Sequence, residues 1–439
     1  IFPQNAKSSN VENFSKMFAH AESLTSIDLT YFSFIKAKNM EQIFNKCKNL
    51  EYINFPKNEI AENLQFLNDM FNDCLKLISV DLSSFSFKKV ENMAKMFAGC
   101  NRLSTIIFPK ENSTSTSLLN AEYMFDDCNE LTSIDLSGIS FLNVKDLSYM
   151  FNECFNLETL ILPSNGKEAS NVDDFSFMFY NCGKLASIDL RNISFINAKN
   201  LAFMFFNCSS LIDIKFPSEE KATKVESFRG MFFYCQNLPS LDLSNFSFEN
   251  AIDISGLFLY CTSLENLILP RNEIADNVED ISLMFASCSK LRTIDLSGIS
   301  LIKIIDINYT FAYCTNLENI IFANDEQANK IEDISYAFSN CHKLKSINLK
   351  NVSFVSIKNI SFMFENCLDL LEIKFNKNER VTNIKDMNGT FINCTSITSI
   401  DMSHIYINND AILDNLFFNC SSLKDINISN IDIIVHISR

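Results

Sequence analysis

Fifteen cysteines recur at one fixed place in a repeating unit, and that clock restricts the chain to an array of stacked coils. They fall at Cys47, Cys74, Cys100, Cys128, Cys154, Cys182, Cys208, Cys235, Cys261, Cys288, Cys314, Cys341, Cys367, Cys394 and Cys420. The intervals alternate between 26 residues and either 27 or 28. Each cysteine follows a phenylalanine by three and precedes an apolar residue by three, as in Phe97, Cys100 and Leu103. An earlier copy around Met17-Phe18 carries Ala21 in the cysteine's place, which makes sixteen coils. Self-similarity at this period is the mark of a solenoid. A chain of 439 residues would otherwise suggest two or three domains. A stacked array grows coil by coil instead, so residues 1–439 read as a single continuous repeat array. Ile1-Phe2-Pro3 matches Ile107-Phe108-Pro109 in mid-array, so the chain reads as a fragment or processed segment without clear caps, its true start and any targeting signal missing.

Two kinds of coil alternate. In the short coil of residues 75–100, Val80 and Leu82 alternate with Ser79, Asp81 and Ser83, the period of a half-buried strand. The spacing then changes to Val90, Met93, Met96, Phe97 and Cys100, which predicts a short helix with one apolar stripe. The long coil of residues 101–128 turns Leu103, Ile106 and Phe108 inward, then passes through Pro109 and a polar loop to a second stripe at Leu119, Met124, Phe125 and Cys128. Six of the seven prolines occupy the place just past the long-coil strand, where a missing N–H can face solvent. No coil buries its apolar faces alone, so stacking is obligatory. The expected fold is an α/β solenoid: an arc of about sixteen strand–corner–short-helix coils, with one parallel sheet on its concave side.

Fifteen is an odd number in a chain far longer than a disulfide-framed domain. One cysteine per coil on the apolar stripe reads as a column of small buried hydrophobes. Disulfides between neighbouring coils would need Cα atoms within about 7 Å. Zinc would need paired ligand spacings that are absent here.

The pattern Leu-x-x-Ile-Asp-Leu-Ser-x-Phe followed by Asn-Met-x-x-Met-Phe-x-x-Cys resembles the BspA-like leucine-rich repeats of bacterial and protist surface proteins. The long coil, Leu-x-x-Ile-x-Phe-Pro with Phe-x-x-Cys, looks like the proline-bearing variant of that repeat. The resemblance covers essentially the whole chain and implies a leucine-rich-repeat solenoid at a cell surface or outside the cell, concerned with adhesion or host contact. It brings no catalytic residues. The alternative is an intracellular structural or signalling scaffold built on the same repeat.

Composition narrows the partners. A net charge of −16 argues against nucleic acid, which needs clustered cations, and against anionic lipid. No run of eighteen apolar residues is present to insert into a bilayer. His20, His342, His404 and His436 lie in unrelated coils and read as exposed or loop residues. No phosphate loop, nucleophile elbow or zinc signature occurs, so no catalytic, cofactor-binding or metal-ligating residue is assigned and no cofactor is expected. Twelve Asn-x-Ser/Thr sequons occur, of which Asn112 in a long-coil loop is the easiest acceptor.

The one patterned polar feature lies on the strands. Short coils present Asp28, Asp81, Asp135, Asp189, Asp242, Asp295, Asn348 and Asp401 outward, each preceded two residues earlier by Ser or Thr. Long coils place Asn54, Ile107, Ile161, Lys215, Ile268, Ile321, Lys374 and Asn427 in register with them. The candidate partner-binding track is Asp81, Asp135, Ile161, Asp189, Lys215, Asp242, Ile268 and Asp295. It would contact a protein or glycan, alone or together with the rim loops. The competing reading is an aspartate copied by repeat duplication to satisfy local backbone donors.

Overall fold

The computed structural model describes residues 8–109, 117–164, 166–271, 274–323, 328–408 and 410–429. The chain divides into two compact units, Ile1–Ala222 and Thr223–Arg439. In the first unit the strands are β1 (Ser26–Asp28), β2 (Tyr52–Asn54), β3 (Ser79–Asp81), β4 (Thr105–Ile107), β5 (Ser133–Asp135), β6 (Thr159–Ile161), β7 (Ser187–Asp189) and β8 (Asp213–Lys215). In the second they are β9 (Ser240–Asp242), β10 (Asn266–Ile268), β11 (Thr293–Leu296), β12 (Asn319–Phe322), β13 (Ser346–Leu349), β14 (Glu372–Phe375), β15 (Ser399–Tyr406) and β16 (Asp425–Ser429). All the pairings are parallel, giving a parallel-strand β-solenoid.

One uninterrupted sheet was expected, and the strands instead form a four-stranded sheet, β1 to β4, and six two-stranded ones. Each short-coil strand pairs in full with the long-coil strand after it, as Ser133, Ile134 and Asp135 do with Thr159, Leu160 and Ile161. From a long coil to the next short coil the strand pairing thins, as at Tyr52 with Ser79, and further bridges form on another side, where Ala61 bridges Phe85 and Glu168 bridges Ile193. The second unit repeats this, with Ala275 on Ile299, Ala328 on Val352 and Val381 on Ile405. Bridges on the turn side, as from Asn39 to Phe66 and from Phe66 to Asn92, join both kinds of junction, so the short strands are not alone in satisfying the backbone.

The short helices are not formed: among the described residues there is no helix. In their place run consecutive tight turns. Met96 N–H donates to Met93 C=O at 3.2 Å, and Cys100 N–H to Phe97 C=O at 3.0 Å. Their third residues, Lys95 and Gly99, have φ of 55° and 73°, as a type II turn requires. The other N–H groups point to the next coil: Met93 to Asn120, Lys95 to Glu122, Phe97 to Met124 and Gly99 to Asp126, at 2.8–3.0 Å. A helix would direct those donors back along its own chain and would exclude a left-handed residue every fourth position. The apolar spacing of three and four that suggested a helix belongs equally to back-to-back turns.

Turn stacking places like residues on like. In the first unit the rings of Phe18, Phe44, Phe71, Phe97, Phe125, Phe151, Phe179 and Phe205 form one column, neighbouring centroids 5.3–5.7 Å apart and planes within 11°. Phe232 to Phe417 form the matching column of the second unit at 5.3–6.0 Å. Offset stacks of this kind add to the burial of each ring. The cysteines stand beside them as free thiols, buried except for half-buried Cys420. They are more than small hydrophobes, because Sγ of Cys100 donates to Phe71 C=O at 3.2 Å and Sγ of Cys314 to Phe285 C=O at 3.1 Å. Burial pushes the thiol of Cys314 up to about 12 and that of Cys420 to about 11.

The corners are closed by a clasp the repeat pattern does not announce. Glu168, itself buried, accepts from Ser140 Oγ at 2.8 Å and Phe141 N–H at 2.7 Å in the preceding short coil. Glu220 accepts from Ser194 and Glu379 from Ser353 at 2.6 and 2.7 Å, and Glu59 takes the same hydrogen bond from Ser33. His404 departs from its expected exposure: it is 6 % exposed, against Phe375, with no hydrogen-bond partner among the described residues at either ring nitrogen. His20 is exposed and His342 half-buried, and His436 lies outside the described residues.

Candidate functional site

The strand face takes its order from the parallel register. Strands that pair residue for residue carry their outward side chains side by side, so a repeat in sequence becomes a row on the surface. In the first unit Asp81 sits beside Ile107, Asp135 beside Ile161 and Asp189 beside Lys215. In the second, Asp242 sits beside Ile268 and Asp295 beside Ile321. All eight candidate residues therefore occupy the third position of their strands, in the two units separately. A second outward row of Ser79, Thr105, Ser133, Thr159 and Ser187 runs beside the first in the first unit.

Each aspartate has a local duty. Its Oδ1 accepts the N–H two residues on: Ser83 to Asp81, Ser137 to Asp135, Arg191 to Asp189, Ser244 to Asp242 and Ser297 to Asp295, at 2.8–3.1 Å. This Asx turn bends the chain out of the strand into the corner and satisfies a donor the short ladder leaves over. Four of the carboxylates also meet a cation. Lys57 reaches Asp81 at 3.2 Å, Arg191 grips Asp189 at 2.6 Å, Arg271 reaches Asp295 at 3.1 Å, and Lys377 bonds Asp401. The Arg191 guanidinium holds the Asp189 carboxyl below the ordinary range, and Lys377 with the Ser403 N–H brings Asp401 down to about 2. For Asp81 and Asp295 partial burial works the other way, but the turn N–H and the cation together still leave each below the usual value. Three of these cations, Lys57, Arg271 and Lys377, come from long-coil corners whose loops vary in length, so the sequence pattern did not reveal them.

Much of the acid row is thus already committed to turns and internal ion pairs, and what remains conspicuous is apolar. Ile107, Ile161, Ile268 and Ile321 are 45 %, 48 %, 47 % and 42 % exposed. Lys215 pairs only loosely, 4.0 Å from Asp213, and Lys374 lies 3.3 Å from Glu372. In the second unit a shallow depression beside Ile268 is walled by Glu265, Lys290 and Arg292. Among the described residues no group of three or more His, Cys, Asp or Glu side chains is placed to hold a metal ion. No helix there is long and apolar enough to cross a membrane. Asn112, the favoured glycan acceptor, lies outside the described residues.

Comparison with known proteins follows this geometry. The BspA type leucine-rich repeat region matches residues 11–172, 231–362 and 307–436, between them most of the chain. A second family, described as a Mycoplasma protein of unknown function, matches residues 119–238. No curated protein matches the sequence. Among solved structures, a leucine-rich repeat protein from Bacteroides ovatus is 21 % identical, covering 81 % of this chain and 77 % of its own, with a TM-score of 0.46. A leucine-rich cell surface protein from Faecalibacterium prausnitzii is 20 % identical over 70 % of this chain and 82 % of its own, with a TM-score of 0.36. The recurring cysteine turns, the paired strands and the family match agree, and the chain belongs to the BspA-type leucine-rich-repeat family.

Proposed function

We propose that this chain is a non-catalytic binding scaffold at a cell surface, and that it contacts a protein partner through its strand face. The observation that carries this reading is the row of exposed isoleucines, Ile107 and Ile161 in one unit and Ile268 and Ile321 in the other. Each is set beside a capped aspartate and close to Ser, Thr or Asn side chains. Half-exposed β-branched residues framed by satisfied polar groups give a partner apolar area without an unpaired buried charge, the composition expected of a protein-binding patch. A glycan would bond through polar groups, and here every aspartate beside an isoleucine already gives one oxygen to its own turn, with Asp81 and Asp295 also meeting a cation. The solved surface protein from Faecalibacterium prausnitzii is consistent with display outside the cell.

Adhesion tests the reading directly. Beads coated with the chain should bind matrix proteins or host cells, and free chain in solution should compete. Beads that retain no more than albumin-coated controls, or binding that free chain fails to displace, would remove the adhesive role.

A further inference from the structure

The turn side of the first unit carries an aromatic stripe that the fold itself does not require. The residue five places before the cysteine lies in the left-handed region, and in four consecutive coils it is Tyr123, Tyr149, Phe177 and Phe203, with φ of 55–58°. Their rings stack at 4.5, 4.5 and 5.1 Å. A second row, Tyr180 on Phe206 at 4.4 Å, joins the first where Phe177 meets Tyr180 at 5.4 Å. All six side chains are half-buried, with their rims left at the surface. In the second unit the same place holds a shorter aromatic run, Tyr309, Tyr336 and Phe362, with Gly256 before it and Gly389 after it at φ of 59° and 60°, so the turn forms without any side chain there. A bulky residue at positive φ carries a steric cost, and that cost recurs four coils running.

Carboxylates border the stripe: Glu122, Asp126, Asp127, Asp146, Glu153 and Asp174. Among the described residues none of the six forms an ion pair. Their hydrogen bonds come from neutral donors, as Asn152 gives to Asp126 at 2.7 Å and Asn181 to Glu153 at 2.9 Å. Burial raises the phenols of Tyr123 and Tyr149, helped by the Tyr149 phenol and then acids at Tyr123 and by acids at Tyr149, and burial with Asp127 and Glu153 raises the Asp126 carboxyl despite the Asn152 hydrogen bond. Asp81, Asp189, Asp295 and Asp401 on the strand face each meet a cation, whereas among the described residues this group has no ion pair. One cation does visit: the Lys95 ammonium lies 5.1 Å above the Tyr123 ring, at the exposed end of the stack. It marks the chemistry that the stripe accepts.

We infer that this stripe, Tyr123 to Phe206, is a second docking surface, and that its occupant is an extended Lys- and Arg-rich segment of a partner protein. The charged heads meet Glu122, Asp126 and Glu153, and the methylene stems lie along the aromatic rims, the arrangement long cationic side chains favour on apolar surface. A second copy of this chain does not suit the site, because at a net charge of −16 it would bring more acid to acid.

The chain contains no tryptophan, so a twelve-residue Lys/Arg-rich peptide with one tryptophan gives a clean fluorescence probe for the whole chain. At low salt it should bind, while the same peptide with Gln at every cation should not. Asp126→Asn with Glu153→Gln, near-isosteric changes, should weaken binding at least tenfold. Tyr149→Leu with Phe177→Leu should weaken it similarly. Removing the same two charges elsewhere, by Glu62→Gln with Glu249→Gln, should change it less than twofold, and the strand-face pair Ile161→Thr with Ile268→Thr should leave it unchanged. Equal losses in both charge-removal variants would mean attraction to net charge alone and overturn the assignment, as would absence of binding or equal binding of the neutral peptide. Loss in the strand-face pair would return the peptide to the surface proposed above.

Discussion

The Cys208 thiol donates to the backbone carbonyl of Phe179 in the preceding coil, with 3.1 Å between sulfur and oxygen. The same bond joins Cys182 to Phe151 and Cys154 to Phe125, so each of these coils is tied to the one before through its cysteine. In a solenoid the coil-to-coil interface carries the stability, and this contact is buried within it.

Replacing Cys208 by Ala removes the donor and leaves a small void, a combined loss of about 1–2 kcal/mol. Cys208→Ser keeps a donor facing the same acceptor and is expected to destabilise no more than Ala. Denaturant titration of the two variants decides it. A serine variant weaker than alanine by more than about 1 kcal/mol would mean that the thiol acts only as a small hydrophobe.

Ser287, directly before Cys288, has a φ of 65°. In a left-handed turn position Ser287→Gly should stabilise the chain by about 0.5–1 kcal/mol and Ser287→Ala should not, whereas a helix would reverse the order. Far-ultraviolet circular dichroism on the parent chain distinguishes turns from helix globally. It should lack the paired helical minima, and a strong signal at 222 nm would contradict the stacked turns.

Burial, aided by Lys377, lowers the His404 imidazole below its ordinary value, and Asp401 and Glu379 only partly oppose this. The unfolded chain therefore takes up a proton that the folded chain resists. The histidine's contribution is whole above about pH 6.5, falls as the pH drops below it, and levels off past the folded value. Asn192 and Asn351 hold the corresponding place in other short coils, so His404→Asn should fold and should flatten the fall in thermal midpoint between pH 7.5 and 5.5. An unchanged slope in the variant would assign the pH dependence to another group.

The coil count, the alternation of two coil types and the register of Asp135 with Ile161 were legible because parallel stacking converts a repeat directly into neighbours. The helix was misread because Met93, Met96, Phe97 and Cys100 have a spacing that two turns and one helix share. A signal against it was present: Asp73, Gly99, Asp127, Asn181 and Asn207 each precede a cysteine, and these residue types are the ones that tolerate left-handed backbone. The partners of the acid row could not be read, since Lys57, Arg271 and Lys377 reach Asp81, Asp295 and Asp401 from a different coil across corners of variable length. The aromatic stripe escaped notice because its rings occupy positions that a helical reading turns toward solvent without aligning them.

The strand face is tested most directly by Ile107→Thr, Ile161→Thr, Ile268→Thr and Ile321→Thr combined in one chain. Threonine keeps the β-branch that suits a strand while removing apolar area worth about 0.8 kcal/mol per methylene-sized group. Surface plasmon resonance against the matrix protein or cell receptor retained by the parent chain should show affinity reduced at least tenfold, with the thermal midpoint unchanged. Undiminished affinity in this folded variant would contradict the claim that the strand face is the contact surface.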